Sequence, residues 1–307
     1  ALLFLNRRGY APLTLCKACG HQYQCPDCSA WLVEHRFRGV LMCHHCGHEQ
    51  RVPKACTECG AVDSLTPIGP GIERVAEEAA ERFPGARMVI LSSDMGSNQQ
   101  LRERFAEIER GEYDLVVGTQ LVAKGHHFEK LTLVGVLDAD LGLDRGDPRA
   151  AERTFQILTQ VTGRAGRANR VGKAFLQTYH PDHPVMKAMV RGDREAFYKH
   201  ELLAREAGGL PPFGRLAALI VSANEHDPAF AYAKQLLSVA PLAEGLKLFG
   251  PADAPISMIR GRHRVRLLAQ SGKDFDLSGY VRFWLEQAPK TTGNLRVQVD
   301  IDPQSFL

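Results

Sequence analysis

After residue 59 the sequence contains no cysteine, so the rest of the chain holds neither a disulfide nor a thiolate metal site. No apolar run reaches the roughly 18 residues that a membrane-spanning helix needs. There is no G-x-x-x-x-G-K-[ST] loop: Gly172-Lys173 and Gly272-Lys273 are followed by Ala and Asp and lack the upstream glycine. No Asp-Glu pair closes an apolar run either. Together these absences exclude a self-contained P-loop site, because those motifs supply the phosphate cradle and the Mg²⁺ ligands. Internal repeats, low-complexity tracts and coiled-coil heptads are also missing. Charge of one sign is not in excess: 38 Lys and Arg face 35 Asp and Glu, a net +3, so only local clusters can speak about partners. The sequence opens on Ala1 with no initiator Met and no secretory leader, and an apolar run starts at Leu2. It is therefore expected to be a piece of a longer intracellular protein, cut close to the start of a strand.

What the chain does have is eight cysteines in four C-x-x-C pairs: Cys16/Cys19, Cys25/Cys28, Cys43/Cys46 and Cys56/Cys59. Two thiolates three positions apart grip one face of a zinc ion, and two such knuckles complete a tetrahedron. Four knuckles hold two Zn²⁺. The fourteen residues between Cys28 and Cys43 suit a zinc-ribbon loop, whereas the five between Cys19 and Cys25 are tight for two knuckles on one ion. A nested pairing is favoured: Cys25, Cys28, Cys43 and Cys46 on one ion, and Cys16, Cys19, Cys56 and Cys59 on the other. Serial pairing is the competitor, and a disulfide framework the bland alternative. With four thiolates and no open position the sites are structural, and each would contribute about 10–16 kcal/mol of folding free energy. His21, His44, His45 and His48 lie among the cysteines, but eight thiolates leave them no required ligand role.

Near-continuous apolar runs at 2–5, 87–91, 113–118, 131–137 and 173–179 alternate with helical stretches at 71–83, 97–110 and 148–164. Strands without polar alternation, separated by helices, predict a parallel sheet covered on both faces. The first strand is expected in that same sheet, which makes the zinc segment an insertion in an α/β domain. After a helical connector, Gly208-Gly209-Leu210-Pro211-Pro212 marks a boundary. Beyond it the order β-α-β-β-α-β predicts a ferredoxin-like α+β domain. The expected organisation is an α/β lobe at 1–13 and 67–183, a zinc insertion at 14–66, a connector at 184–209 and a C-terminal domain at 210–307.

The next most specific stretch is Gln160-Val161-Thr162-Gly163-Arg164-Ala165-Gly166-Arg167. Arg164 and Arg167 share one face of a helix end, and Gly163 and Gly166 allow close backbone approach. Two guanidiniums delivered together suit a triphosphate. Upstream, an apolar strand ends in Gly118-Thr119, followed by Lys124-Gly125-His126-His127-Phe128. Backbone N–H and hydroxyl groups at such a strand end are expected to face a ligand, with Lys124 on a phosphate. Asp138 and Asp140 close the next strand and are candidates to orient the arginines or a metal.

The order of these segments resembles the second RecA-like lobe of superfamily 2 helicases, with residues 117–128 as motif V and 160–167 as motif VI. Together with the cysteine spacing, LLFLNRRGYAP at 2–12, VGVLDAD at 134–140, LPPF at 210–213 and VDIDP at 299–303, the chain resembles the PriA family of primosomal replication-restart helicases along essentially its whole length. The resemblance implies an ATP-dependent 3′→5′ DNA helicase of the bacterial cytoplasm and nucleoid. Such an enzyme recognises abandoned forks and, with primosome proteins, single-stranded DNA-binding protein and the helicase loader, reloads the replisome. It implies that Gln160, Arg164 and Arg167 act on ATP, beside Gly118, Thr119, Lys124, Gly125, Asp138 and Gly163. It also implies that the zinc module contacts DNA and partner proteins, and that the C-terminal domain binds forked DNA. ATP and Mg²⁺ would be held only with a preceding lobe that carries the missing motifs. Ser92-Ser93-Asp94-Met95 departs from the family's D-x-D-T-like run.

Arg260, Arg262, Arg264 and Arg266 alternate, so in an extended strand all four project to one side and could track a phosphate backbone. A solvated, charge-protected sheet edge is the bland reading. Arg7 and Arg8 are further candidate DNA contacts. The competing functional class is a non-enzymatic zinc-dependent scaffold for DNA or proteins. QVTGRAGR favours the motor, since a scaffold has no use for two phosphate-facing arginines. The paired zinc sites argue against other superfamily 2 motors.

Overall fold

The computed structural model describes residues 1–6, 13–28, 30–35, 38–43, 46–69, 71–92, 98–123, 128, 130–143, 148–166 and 172–304. Arg7, Arg8, His44, His45, the 93–97 segment, Lys124, Gly125 and Arg167 lie outside them. The chain forms two compact units. One comprises residues 1–23, 31–145 and 150–193, the other 24–30, 146–149 and 194–307.

The first unit opens with β1 (Leu2–Leu5) and then makes an excursion through five short strands. These are β2 (Leu13–Cys16), β3 (Val33–His35), β4 (Val40–Met42), β5 (Glu49–Arg51) and β6 (Leu65–Ile68). β2 and β6 pair antiparallel, Leu13 with Ile68 and Cys16 with Leu65, so the chain leaves and returns through one two-stranded stalk. At the far end β3, β4 and β5 form a three-stranded antiparallel sheet. This excursion has little apolar core. Among the described residues of 13–66 the buried apolar side chains besides cysteine are Tyr23, Leu32, Leu41 and Met42.

The α/β pattern then resumes with α1 (Ile72–Arg82), β7 (Met88–Leu91), α2 (Asn98–Arg110), β8 (Leu115–Gly118), α3 (Gln120–Ala123), β9 (Leu133–Leu137), α4 (Ala150–Thr162), β10 (Lys173–Leu176) and α5 (Pro184–Arg191). The five strands form one sheet in the order β10-β9-β1-β8-β7, with every neighbouring pair parallel. β1 pairs on both sides, which is why Leu2-Leu3-Phe4-Leu5 carries no polar alternation. The cysteine-rich segment is thus an insertion after the first strand, as the sequence predicts. α1 buries Ile72, Ala76 and Ala79 against Leu115 and Val117 of β8. Arg87 and Asp114 clamp the entry ends of β7 and β8 at 2.9 Å, and the Arg87 guanidinium holds the Asp114 carboxyl down at about 2. No helix among the described residues is long and apolar enough to cross a membrane.

The second unit contains α6 (Arg194–Ala207), β11 (Gly214–Ala223), α7 (His226–Ser238), β12 (Leu246–Ile259), β13 (Arg262–Gly272), α8 (Leu277–Gln287) and β14 (Arg296–Ile301). Its antiparallel sheet has the order β12-β13-β11-β14, the ferredoxin-like arrangement expected from the element order. Ala217, Leu219 and Val221 of β11 and Val265, Leu267 and Ala269 of β13 pack under α7 and α8 through Leu236, Val281 and Trp284. The polar tips of the aromatics are satisfied: Trp284 Nε1–H donates to Leu236 O at 2.7 Å and Tyr280 O–H to Pro241 O at 2.7 Å. Asp276 caps α8 by accepting the Gly279 N–H at 2.9 Å. The expected connector is two helices, α5 in the first unit and α6 in the second.

Candidate functional site

The nested cysteine pairing is the one the fold makes. The stalk sets Cys16 beside Leu65, which brings the knuckle at Cys16–Cys19 to the knuckle at Cys56–Cys59. The β3–β4–β5 sheet carries the knuckle at Cys43–Cys46 to the one at Cys25–Cys28. In each group of four the sulfurs lie within 4.8 Å of one another. Cys16 and Cys59 sulfurs are 3.7 Å apart, and Cys19 and Cys56 sulfurs 3.8 Å. A regular tetrahedron with Zn–S bonds near 2.3 Å has edges of about 3.8 Å. A disulfide needs about 2.05 Å, so these distances fit four thiolates around zinc and not two bridges.

The knuckles repeat one backbone device. Cys16, Cys43 and Cys56 each donate their N–H to the carbonyl five residues on, at His21, His48 and Ala61. Gly20, Gly47 and Gly60 donate back to the same three cysteines, with φ between 72° and 82°. Only glycine takes that left-handed turn cheaply, so in three of the four pairs the full signal is C-x-x-C-G rather than C-x-x-C alone. Further donors reach the sulfurs: His48 N–H to Cys46 and Glu58 N–H to Cys56, both at 3.4 Å. The Ser64 hydroxyl, 3.1 Å from Cys16, lowers that thiol to about 6 against the opposing effect of burial. At Cys19 the His21 N–H lowers the thiol, but the Cys59 sulfur, burial and the Cys16 and Cys56 sulfurs outweigh it and push it up to about 12. Such a crowd of sulfurs cannot ionise together without a cation, so metal binding releases protons.

At the end of β8, Gly118 carries no side chain because a Cβ there would sit 2.3 Å from Val122 Cγ1, so α3 can fold back over the strand end. Thr119 corrects an expectation. It is buried, and its N–H donates to Leu91 O at 3.2 Å instead of facing a ligand. The arginine segment lies beside this turn. Gly163 ends α4 with its N–H on Thr159 O, and Arg164 donates from its guanidinium to Ala123 O at 2.6 Å. Gly166, at φ 75°, donates to Leu131 O, and Gly172 passes so close that a Cβ would lie 2.2 Å from Gly166 N. Gln160 is exposed on the last turn of α4. Asp138 stands at φ 50°, with its N–H on Gln177 Oε1 at 3.3 Å. The Asp140 carboxylate accepts from the Thr178 hydroxyl at 2.5 Å and Tyr179 N–H at 2.7 Å, so it fastens the turn after β10 rather than orienting an arginine.

The arginine row is shorter than expected. Arg260 (φ 51°) and Gly261 (φ 69°) form the left-handed turn between β12 and β13, which removes Arg260 from the common face. In that turn Gly261 N–H donates to Asp27 O at 2.7 Å and Arg260 N–H to Cys28 Sγ at 3.4 Å, so backbone and not guanidinium does its work. Arg262 spends its donors on Ser222 O, Ser222 Oγ, Asn294 O and Asn224 Oδ1, a brace across the sheet. Arg264 and Arg266 remain on the face opposite the helices, half-buried, and burial lowers both guanidiniums from their ordinary range. Arg264 gives one N–H to Ile256 O; the Arg266 guanidinium has no hydrogen bond or ion pair among the described residues. Ile220 lies opposite Arg266 in the register, and exposed Phe249 opposite Leu268, on the same face.

If that face takes DNA, Arg264→Ala with Arg266→Ala should lower affinity and flatten the plot of log K against log salt by about 1.4 for single strands. Fluorescence anisotropy across a salt series reads this, and an unchanged slope contradicts the assignment.

Comparison with known proteins follows the same division. Residues 25–51 match the model described as PriA DNA helicase Cys-rich region (CRR) domain, 68–169 the Helicase conserved C-terminal domain, and 206–304 the Primosomal protein N C-terminal domain. The chain is 44% identical over 307 residues to the replication restart protein PriA of Rickettsia prowazekii, covering 100% of this chain and 47% of that protein. It is 43% identical over 306 residues to that of Rickettsia felis (99% and 47%), and 37% over 313 residues to that of Bacillus subtilis (100% and 38%). The chain thus spans about half the length, or less, of these curated relatives. With all three domain models in family order and whole-chain identity to its members, this chain belongs to the PriA family of replication restart proteins.

Proposed function

We propose that the chain is the rear part of an ATP-dependent 3′→5′ DNA helicase that recognises stalled or abandoned replication forks and reloads the replisome. In this reading Arg164 and Arg167 stabilise charge on the γ-phosphoryl group, Gln160 supports them, and Gly163 lets the helix end approach. Gly118, Lys124, Gly125 and Asp138 belong to the same nucleotide site in this reading. Mg²⁺ and the phosphate cradle come from a segment outside this chain. The two clusters hold structural zinc. The open face with Arg264, Arg266 and Phe249 tracks single-stranded or forked DNA, with cations on phosphates and the aromatic ring under a base. Partners are primosome proteins, single-stranded DNA-binding protein and the loader of the replicative helicase, in the bacterial cytoplasm and nucleoid.

The observation that supports this most is the hydrogen bond from Arg164 to Ala123 O, which brings the two motif-bearing segments of the lobe together. The chain alone should bind forked DNA but hydrolyse no ATP. A malachite-green assay with and without single-stranded DNA checks this, and turnover well above background contradicts the half-site. The same hydrogen bond also favours a second reading: a brace of this kind is what a non-enzymatic zinc-dependent scaffold would keep.

A further inference from the structure

Burial of ionisable side chains is costly, and in some proteins it is kept to fix one geometry. Apart from cysteine and tyrosine, the described residues bury two ionisable side chains below a tenth exposure, and these two face each other. His35 Nδ1 lies 3.2 Å from Glu73 Oε1, with side-chain exposures of 3% and 7%. Their places in the chain give the contact its meaning. His35 ends β3 and pairs with Val40 of β4, the strand that runs directly into Cys43. Glu73 stands in the first turn of α1, whose apolar stripe packs on β8, the strand that ends at Gly118. The carboxylate also gains from the helix N-terminus, where Gly71 offers no side-chain cap.

We propose that His35 and Glu73 form a positioning latch that fixes the zinc-ribbon hairpin on the helicase lobe and passes load from the zinc module through α1 to the strand end beside the nucleotide. Neither residue belongs to a cysteine cluster or to the segments 117–128 and 160–167. Their contact selects one orientation of a hairpin whose own core is too small to define it. An apolar pair of similar size would remove this directional contact and let the hairpin settle in several orientations. The latch rests on the motor reading above.

The test uses the full-length protein and reads ATP turnover with and without single-stranded DNA, beside the melting temperature. His35→Ala or Glu73→Ala alone should melt lower, because each leaves a buried polar partner. The double variant His35→Leu/Glu73→Leu should fold, melt no lower than the single variants and keep turnover without DNA. Its stimulation by DNA should fall about fivefold to tenfold, the low end of the usual range for a coupling term. His35→Gln, which keeps a donor for Glu73, should retain stimulation. Full stimulation in the double variant, or lost stimulation in a folded His35→Gln, overturns the latch. Absence of DNA stimulation in the unaltered protein would instead remove the motor reading.

Discussion

Replacing Arg164 by alanine in the full-length protein should lower ATP turnover about 10³-fold, with little change in nucleotide affinity. Charge on the transferring phosphoryl group appears mainly in the transition state, so a guanidinium aimed there acts on kcat and not on binding. The half-buried position of Arg164 adds to the effect, because few waters compete for its donors. Arg164→Lys keeps the charge but loses the planar fork, and should recover only part of the rate. The hydrogen bond to Ala123 O supplies the competing account, in which Arg164 is a brace. A brace lowers the melting temperature and leaves turnover per folded molecule intact. Steady-state kinetics paired with thermal melts separates the two, and a loss of less than about tenfold in kcat contradicts the phosphate role.

Chelation should have the second large effect, and a local one. Among its described residues the excursion between the stalk strands buries four apolar side chains besides its cysteines, too few to hold its short strands against chain entropy. Removing zinc with a strong chelator should open residues 14–66 to protease. Residues 214–301 own an aromatic and aliphatic core around Trp284 that contains no cysteine, so they should stay resistant. Mass spectrometry of the digest reads both halves of this expectation. Simultaneous loss of both regions, or protection of both, contradicts a metal-built insertion on an independently folded neighbour.

How far the sequence led depended on whether a signal was local. Apolar runs announced β1, β8 and β9, because strands paired on both sides cannot alternate. The cysteine spacing announced the insertion and its nested pairing, because knuckle geometry is set within four residues. The glycine after Cys19, Cys46 and Cys59 was equally readable and completes the motif. Arg260 misled because charge alternation continues through the hairpin. The Gly261 that follows it was the turn signal, and two left-handed residues override the apparent strand. β12 runs on past Pro251 and Pro255 through register shifts that no local pattern announces. Thr119 turned inward because the adjacent strand offers Leu91 O to its N–H, a partner no local pattern names. His35 and Glu73 are far apart in the chain, and neither carries a motif; only the packed fold puts them face to face.

The central claim is that eight thiolates, paired inside-out along the chain, build two zinc centres into a helicase lobe. Metal content of the purified protein tests it most directly. The account predicts two zinc per chain, and one remaining in Cys16→Ser with Cys59→Ser, where the Cys25, Cys28, Cys43 and Cys46 set is left whole. One zinc or none in the unaltered chain, or loss of both ions in that double variant while the remaining fold stays intact, contradicts it.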